Sequence, residues 1–288
     1  MRLGYFGPAG TFTHAALLAS SRFGAGDEGV PFATERETIL GAQAGEVAAA
    51  IVPIENSLEG GVNATLDTLA LDATGVQIVG EELLAISHAL IARPGVAVGD
   101  ISAVVSHPQP LGQCRRYLAD TLPGARLVAA TSTVAAVRTV AESGEPWAAI
   151  GTTVAAGLHG IDVLAEGIED EHGNVTRFLW VSAAGVPTPF AEEGEGGVAW
   201  KTSVVFHGTG DATPGWLMEC LSEVASRGIN LTRIESRPLK SRLGHYLFLT
   251  DLEGGVRDER VRDAIEALHA HCEVVRVLGS YPVAVSGG

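Results

Sequence analysis

Thr176 and Arg177 stand side by side in "GNVTRFLW", residues 173–180, immediately before an apolar strand-like run. A guanidinium offers a planar fork that grips a carboxylate in two parallel hydrogen bonds, and a threonine hydroxyl can donate to an oxygen that is gaining or losing a proton. An acidic chain would sooner fill a surface loop with Asp, Glu or Gly, so the pair reads as a place prepared for an anionic guest. The plainer alternative is an Arg177 paired with nearby Glu169, Asp170 or Glu171.

Other stretches carry chemistry of the same kind. In "GPAGTF" a glycine turn runs into a helix for which Thr11 is a natural N-cap, and free amides at such a start can hold a carboxylate. Gly4, Gly7 and Gly10 do not make a dinucleotide fingerprint, because Gly4 falls inside a strand and Pro8 occupies the turn. "PIENSLEGGV", residues 53–62, gathers Glu55, Asn56, Ser57 and Glu59 between a strand and a helix, where loops commonly hold ligands. "SHPQPLGQC" places His107 and Gln109 at another strand-to-helix junction. For the first two a capped helix or turn without a ligand is the simple structural alternative, and for His107 a satisfied loop histidine is. His88 lies in the apolar run "LAISHALIA" and reads as a buried, hydrogen-bonded residue. His269 and His271 are two apart, share no helix face, and make a poor metal site.

The elements that must position these residues alternate strand and helix. Strands are expected at 2–6, 47–52, 76–79 and 83–92, with helices at 11–23, 35–43 and 62–71. A second set follows: strands at 102–106, 126–130, 147–150 and 161–165, with helices at 109–121, 132–142 and 152–158. The rhythm is α/β in two lobes, joined by crossing segments near 80–92 and 161–181, with a cleft between them. Residues 185–199 lose apolar periodicity and gather Pro, Gly and Glu as a linker does, which bounds a first domain at 1–184. Residues 200–288 form a further domain whose strands and helices read βαββαβ, the ferredoxin-like order.

Composition narrows the function. The 288 residues carry a formal charge of −15, which repels nucleic-acid phosphate and anionic lipid alike. No apolar run approaches the ~18 residues of a membrane span, and no signal segment opens the chain. Cys114, Cys220 and Cys272 are widely spaced and odd in number, which points to a reducing cytoplasm. Neither nucleic acid nor membrane is an expected partner.

Taken together, "GPAGTFTHAA" (7–16), "VPIENSLEGGV" (52–62), "SHPQPLGQC" (106–114) and "GNVTRF" (173–178) resemble the signature segments of the prephenate dehydratase family. Beyond the linker, "KTSVVF", "NLTRIESRP" (230–238) and "GHYLFLTDLEG" resemble an ACT regulatory domain. The resemblance spans essentially the whole chain. It implies a catalytic part similar to type II periplasmic-binding folds and a reaction in which prephenate loses CO2 and water to give phenylpyruvate, with no cofactor and no fused chorismate mutase. It implies Thr176 at the leaving hydroxyl, Arg177 on a carboxylate and Phe178 packed at or beneath the ring, with Thr11, Asn56 and Ser57 as neutral donors and Glu55, His107 and Gln109 nearby. L-phenylalanine is the implied effector, held at the helix start Pro214, Gly215, Trp216, Leu217 and closed over by Glu235, Ser236, Arg237 and Pro238 between subunits of a homodimer or homotetramer. The family usually has Gly-Ala-Leu at that helix start, so the indole of Trp216 is expected to fill or reshape the effector pocket. Arogenate dehydratase, with Glu55 tolerating an ammonium, and a non-catalytic amino-acid sensor are the alternatives.

Overall fold

Strand-length apolar runs ending in Ser, Thr or His caps build two α/β lobes and a third, smaller unit. The computed structural model describes residues 1–188, 190, 199–208, 213–240 and 243–284, so most of the expected linker, residues 189 and 191–198, lies outside the described residues. The first lobe contains β1 (Arg2–Phe6), α1 (Phe12–Ala19), β2 (Glu28–Phe32), α2 (Glu35–Gln43), β3 (Ala49–Asn56), β4 (Gly60–Gly61), α3 (Asn63–Asp67), a π turn over Thr68–Asp72, and β5 (Val76–Ala85). The chain then crosses to build the second lobe from β6 (Ala89–Ala92), β7 (Ala103–Ser106), α4 (Pro108–Gln113), α5 (Arg115–Thr121), β8 (Arg126–Ala129), α6 (Thr133–Glu142), β9 (Trp147–Gly151), α7 (Thr153–His159) and β10 (Asp162–Glu166). It returns to the first lobe as β11 (Val175–Ala183).

The first sheet has the order β2-β1-β3-β11-β5, with β4 attached to β3, and the second has the order β10-β6-β9-β7-β8. Both are mixed: β1 runs parallel to β2 and β3, whereas β11 lies antiparallel between β3 and β5. Several boundaries differ from the sequence reading for identifiable reasons. β2 covers residues for which the sequence reading gives no element; it is an edge strand, where the missing N–H of Pro31 is harmless. The expected helix at 109–121 is broken into α4 and α5 at Cys114, whose φ of −111° and ψ of 20° leave the helical region. The runs at 76–79 and 83–92 become one long β5 and a separate β6, with the lobe crossing at residues 86–88.

The third unit comprises β12 (Trp200–His207), α8 (Trp216–Ala225), β13 (Leu231–Pro238), β14 (Tyr246–Glu253), α9 (Glu259–Leu268) and β15 (Val274–Pro282). Its antiparallel sheet has the order β13-β14-β12-β15, the expected βαββαβ topology. Alternation along its strands gives it two apolar faces. Val204 and Leu252 pack with Val224 and Val261 of α8 and α9. Val205, Leu247, Leu249, Leu278 and Tyr281 pack on Ile54, Leu69, Ile78, Leu179 and Val181 of the first lobe in one continuous core. The other face of the first sheet buries Leu3, Tyr5, Ile51, Phe178 and Trp180 with Ala16 and Leu17 of α1. β11 is therefore divided by parity: Thr176, Phe178 and Trp180 look one way, and Arg177, Leu179 and Val181 look toward the third unit.

Candidate active site between the lobes

The strand ends that face across the two lobes each pass into a helix with a side-chain cap. Thr11 Oγ1 accepts from His14 N at 3.2 Å, His107 Nδ1 from Gln109 N at 3.4 Å, Ser132 Oγ from Ala135 N at 3.0 Å, and Thr152 Oγ1 from Ala155 N at 3.0 Å. The starts of α1, α6 and α7 converge. Thr152 Oγ1 donates to Gly10 O at 2.7 Å, and a Cβ built on Gly10 would meet Ala155 Cβ at 3.0 Å and Val134 Cγ2 at 3.5 Å. Gly10 itself has φ of +93°, which a side chain would strain. On the other flank, Gln113 Nε2 donates to Glu59 Oε1 at 3.4 Å, and His88 Nε2 lies 2.7 Å from Gln113 Oε1. Free N–H groups and helix dipoles at such starts favour an anion.

Thr176 sits where this seam meets the returning strand. Asn56 Nδ2 donates to Thr176 Oγ1 at 2.8 Å and to Asn174 Oδ1 at 2.6 Å, while Asn56 Oδ1 accepts from the amides of Leu58 and Glu59, each at 3.0 Å. Ser57 exchanges backbone and side-chain bonds with Val175: its N donates to Val175 O at 2.9 Å, and its Oγ accepts from Val175 N at 3.0 Å. Because Thr176 Oγ1 is an acceptor in its bond from Asn56, its own hydrogen is left to donate. Asn56 and Ser57 thus come together with Thr176 as the sequence reading expected, but the amide of Asn56 is committed to holding the hydroxyl and the turn. Thr11 is likewise engaged, donating to Phe6 O at 3.2 Å besides its cap. His107 serves as the cap of α4, and Gln109 is exposed in that helix's first turn.

Three expected ligand contacts are corrected. Arg177 is 6% exposed and turned away from Thr176. Its Nε donates to Glu81 Oε2 at 2.6 Å, its Nη1 to Asp251 Oδ2 at 2.6 Å, and its Nη2 to Tyr281 Oη at 2.9 Å. Burial alone would pull its pKa down, but Asp251, Tyr281 and Glu81 outweigh it and the guanidinium is held charged, its pKa raised. Neither the carboxylate grip nor the alternative pairing with Glu169, Asp170 or Glu171 describes it. Phe178 is 1% exposed within the α1-side core, so it supports the sheet and cannot lie against a ligand. Glu55 shares the Arg177 face, with Oε2 2.7 Å from Arg233 Nε, and offers nothing to an ammonium in the cleft.

The residues that sequence reasoning did not single out are Asn174, Gln113, Ser132 and Thr152. The last two follow a strand and precede a helix as Thr11 does, so the same capping signal marks them; Asn174 and Gln113 lie inside the quoted segments 173–178 and 106–114, but nothing local gives either a role. Leu58, Gly112, Gln113, Arg116 and Asn174 line a cavity of about 320 Å³ with Glu169, Asp170 and Glu171. Cys114, next to Gln113, is fully buried, and burial pushes its thiol up to about 12, with Glu169 and Asp170 adding to the shift. It is inert at neutral pH. Among the described residues no group of three or more His, Cys, Asp or Glu side chains is gathered as a metal site requires.

In the third unit a cavity of about 210 Å³ is lined by Thr213, Gly215, Trp216, Leu217, Met218, Gly244, Tyr246 and Phe248. α8 begins at Trp216 with Gly215 as its cap at φ of +92°, so Pro214 lies in the preceding turn and not at the first helical position. The indole does not fill the cavity. It is 6% exposed, donates from Nε1 to His271 O at 2.7 Å, and packs with Phe206, Cys220 and Leu268. Glu235, Ser236, Arg237 and Pro238 lie on β13 outside that lining. Arg237 turns to the first lobe, donating to Asp67 Oδ1 and Asn63 Oδ1, each at 2.7 Å.

Two α/β lobes with capped helix starts along their seam, a Thr176 hydroxyl held by the half-buried Asn56 amide, and an appended antiparallel βαββαβ unit make up the chain. The prephenate dehydratase family model matches residues 3–185. A prephenate dehydratase of Mycolicibacterium gilvum is 40% identical over 99% of this chain and 92% of its own length. The solved prephenate dehydratase of Arthrobacter aurescens, in complex with L-Phe, is 42% identical with a TM-score of 0.85, covering 98% of this chain and 90% of that one. A solved chain described as GqqA, a novel type of quorum-quenching acylase, is 28% identical with a TM-score of 0.85, covering 98% of each chain. The chain belongs to the prephenate dehydratase family.

Proposed function

We propose that the chain converts prephenate to phenylpyruvate by decarboxylative dehydration. As the ring carboxylate leaves as CO2, its bonding electrons enter the ring, the ring C–O bond breaks, and the hydroxyl departs as water after taking one proton. Aromatisation drives the step. The protein has to anchor a dianion, donate to the oxygen that departs, and keep bulk water out.

One observation carries the reading: Asn56 donates to Thr176 Oγ1 at 2.8 Å, which leaves the Thr176 hydrogen directed to another acceptor. Thr176 is the donor to the leaving hydroxyl, and Asn56 and Ser57 orient it. With Arg177 engaged elsewhere, the two carboxylates fall to the amides at the starts capped by Thr11, His107, Ser132 and Thr152, with the His107 ring and Gln109 alongside. The two lobes and their crossing at residues 86–88 and 167–174 support a type II periplasmic-binding-like arrangement.

The βαββαβ unit is read as an ACT domain, and its cavity beside Gly215 and Leu217 as the place for L-phenylalanine, whose carboxylate suits the α8 start and whose ring suits Phe248 and Tyr246. Association through these units, as a homodimer or homotetramer, is part of the same reading, with Ser236 and Pro238 exposed on the unpaired edge strand β13. Three free cysteines suit a cytoplasmic enzyme, and among the described residues no helix is long and apolar enough to cross a membrane. Nothing in the site favours arogenate, since Glu55 faces away from the cleft.

The test is phenylpyruvate formation from prephenate by the purified chain, with and without L-phenylalanine, alongside an acylated amine as the substrate of an acylase. Turnover of prephenate that responds to phenylalanine is the expected result. Silence with prephenate and cleavage of the acyl amide would replace this function with the acylase reading.

A further inference from the structure

β11 carries two side chains of opposite duty on neighbouring residues. Thr176 projects to the interlobe seam and Arg177 to the third unit, with α-carbons about 3.8 Å apart across one rigid peptide. From the geometry around the guanidinium we infer that Asp251 of the third unit and Glu81 of β5 are positioning residues for Thr176, acting through Arg177. The inference rests on the assignment of Thr176 as the donor to the leaving group.

The anchor is built in depth. Glu81, which takes Arg177 Nε, is itself held by Lys201 Nζ at 2.9 and 3.1 Å and by Ala284 N at 3.0 Å. Asp251, which takes Nη1, receives Ser203 Oγ at 2.5 Å on its other oxygen, and that hydroxyl lies 2.7 Å from Tyr281 Oη, the partner of Nη2. The guanidinium is therefore fixed in direction as well as in charge.

An ion cluster of this kind is a poor way to dock two units. Desolvating the charges offsets most of their attraction, and an apolar residue like Leu179 or Val181 at the same face would dock as well. What a forked, fully bonded arginine adds is orientation. It adds it beside a bulge: the register between β11 and β3 slips between Arg177 and Phe178, while pairing with β5 runs unbroken from Val175 to Trp180. A bulge re-aims the strand at that point, and the side chain behind it holds the re-aimed segment in place. Asn56 fixes the hydroxyl from one face and Asp251 with Glu81 fixes its backbone from the other. The third unit is then part of the catalytic support, and a shift of that unit against the first lobe reaches Thr176 through one residue.

Asp251→Asn keeps the shape and removes the charge on Nη1. The expected result is a fall in kcat of about 10- to 100-fold with KM within about twofold, the size expected when a catalytic group is displaced by a fraction of an ångström to 1 Å. In a Thr176→Val background the same change is expected to lower the residual kcat by less than about twofold, because coupled residues are not additive. Tyr281→Phe removes one bond to Nη2 and no charge, and is expected to show the same kcat-only, non-additive loss on a smaller scale; it decides the matter if Asp251→Asn does not fold. Unchanged kcat per folded molecule in these variants, or full losses that persist in the Thr176→Val background, would overturn the inference. A fully active Thr176→Val enzyme would instead overturn the assignment of Thr176, so the two failures are distinguishable.

Discussion

Replacing Thr176 by Val tests the chemistry with the least disturbance, because a methyl takes the volume of the hydroxyl and a β-branched side chain suits the strand. Two costs follow from the structure. The first is to stability: Thr176 is 8% exposed, and loss of its hydroxyl leaves one N–H of Asn56 Nδ2 with only the long contact to Val175 O at 3.5 Å while the other stays on Asn174 Oδ1 at 2.6 Å. An unsatisfied donor in that setting costs about 1–3 kcal/mol, which lowers the melting temperature and leaves the fold intact. The second is to turnover. The hydroxyl is pre-aimed by Asn56, so removing it removes a donor that strengthens as charge develops on the departing oxygen, worth about 10²–10³ in kcat or about 2.7–4 kcal/mol. KM changes little, since the carboxylates are held by other groups. The assay is initial-rate phenylpyruvate formation across a range of prephenate concentrations, with Thr176→Ser as the variant that keeps the hydroxyl and retains most of the rate. A Val variant within about threefold of the parent would refute the reasoning and take Thr176 out of the reaction.

Asn56→Ala should resemble Thr176→Val in kcat and cost more in stability, because it also releases Asn174 and the amides of Leu58 and Glu59; kcat within about threefold of the parent would separate orientation from catalysis. Stability should fall at both pH extremes. Burial pushes the Asp251 carboxyl up, but Arg177 and Ser203 hold it below the usual range, so its contribution is present above about pH 4 and lost as pH drops through the folded value. Burial, with Asp251, raises the Tyr281 phenol, so that contribution is present below about pH 10 and lost above it; thermal melts from pH 3 to 11 should show the alkaline fall become shallower in Tyr281→Phe. Trp216→Ala should weaken the response to L-phenylalanine at least about tenfold in effective concentration without changing basal kcat, because the indole braces the cavity wall through His271 O; an unchanged response would remove the cavity from the effector reading.

Much of the architecture was legible because its signals are local. Thr11 reads as a cap from a polar residue before an apolar helix, and the alternation after residue 200 reads as the βαββαβ order that the pairing of β12 to β15 displays. Trp216 illustrates the limit: its size suggests a filled or reshaped cavity, and room in the core between Phe206 and Leu268 lets the ring turn inward so that it lines the cavity without filling it.

By itself the sequence determined which residue types are brought to the seam: a hydroxyl at 176, an amide at 56 and capped helix starts, each written in neighbouring residues. Only the tertiary structure decided what Arg177 is for. Adjacent residues of a strand face opposite ways, and which face meets the cleft depends on partners far along the chain, Glu81 at 96 residues and Asp251 at 74. A long-range ion pair has no signature in a local window, so a guanidinium beside a hydroxyl reads as a ligand for an anion until packing shows it bound from behind.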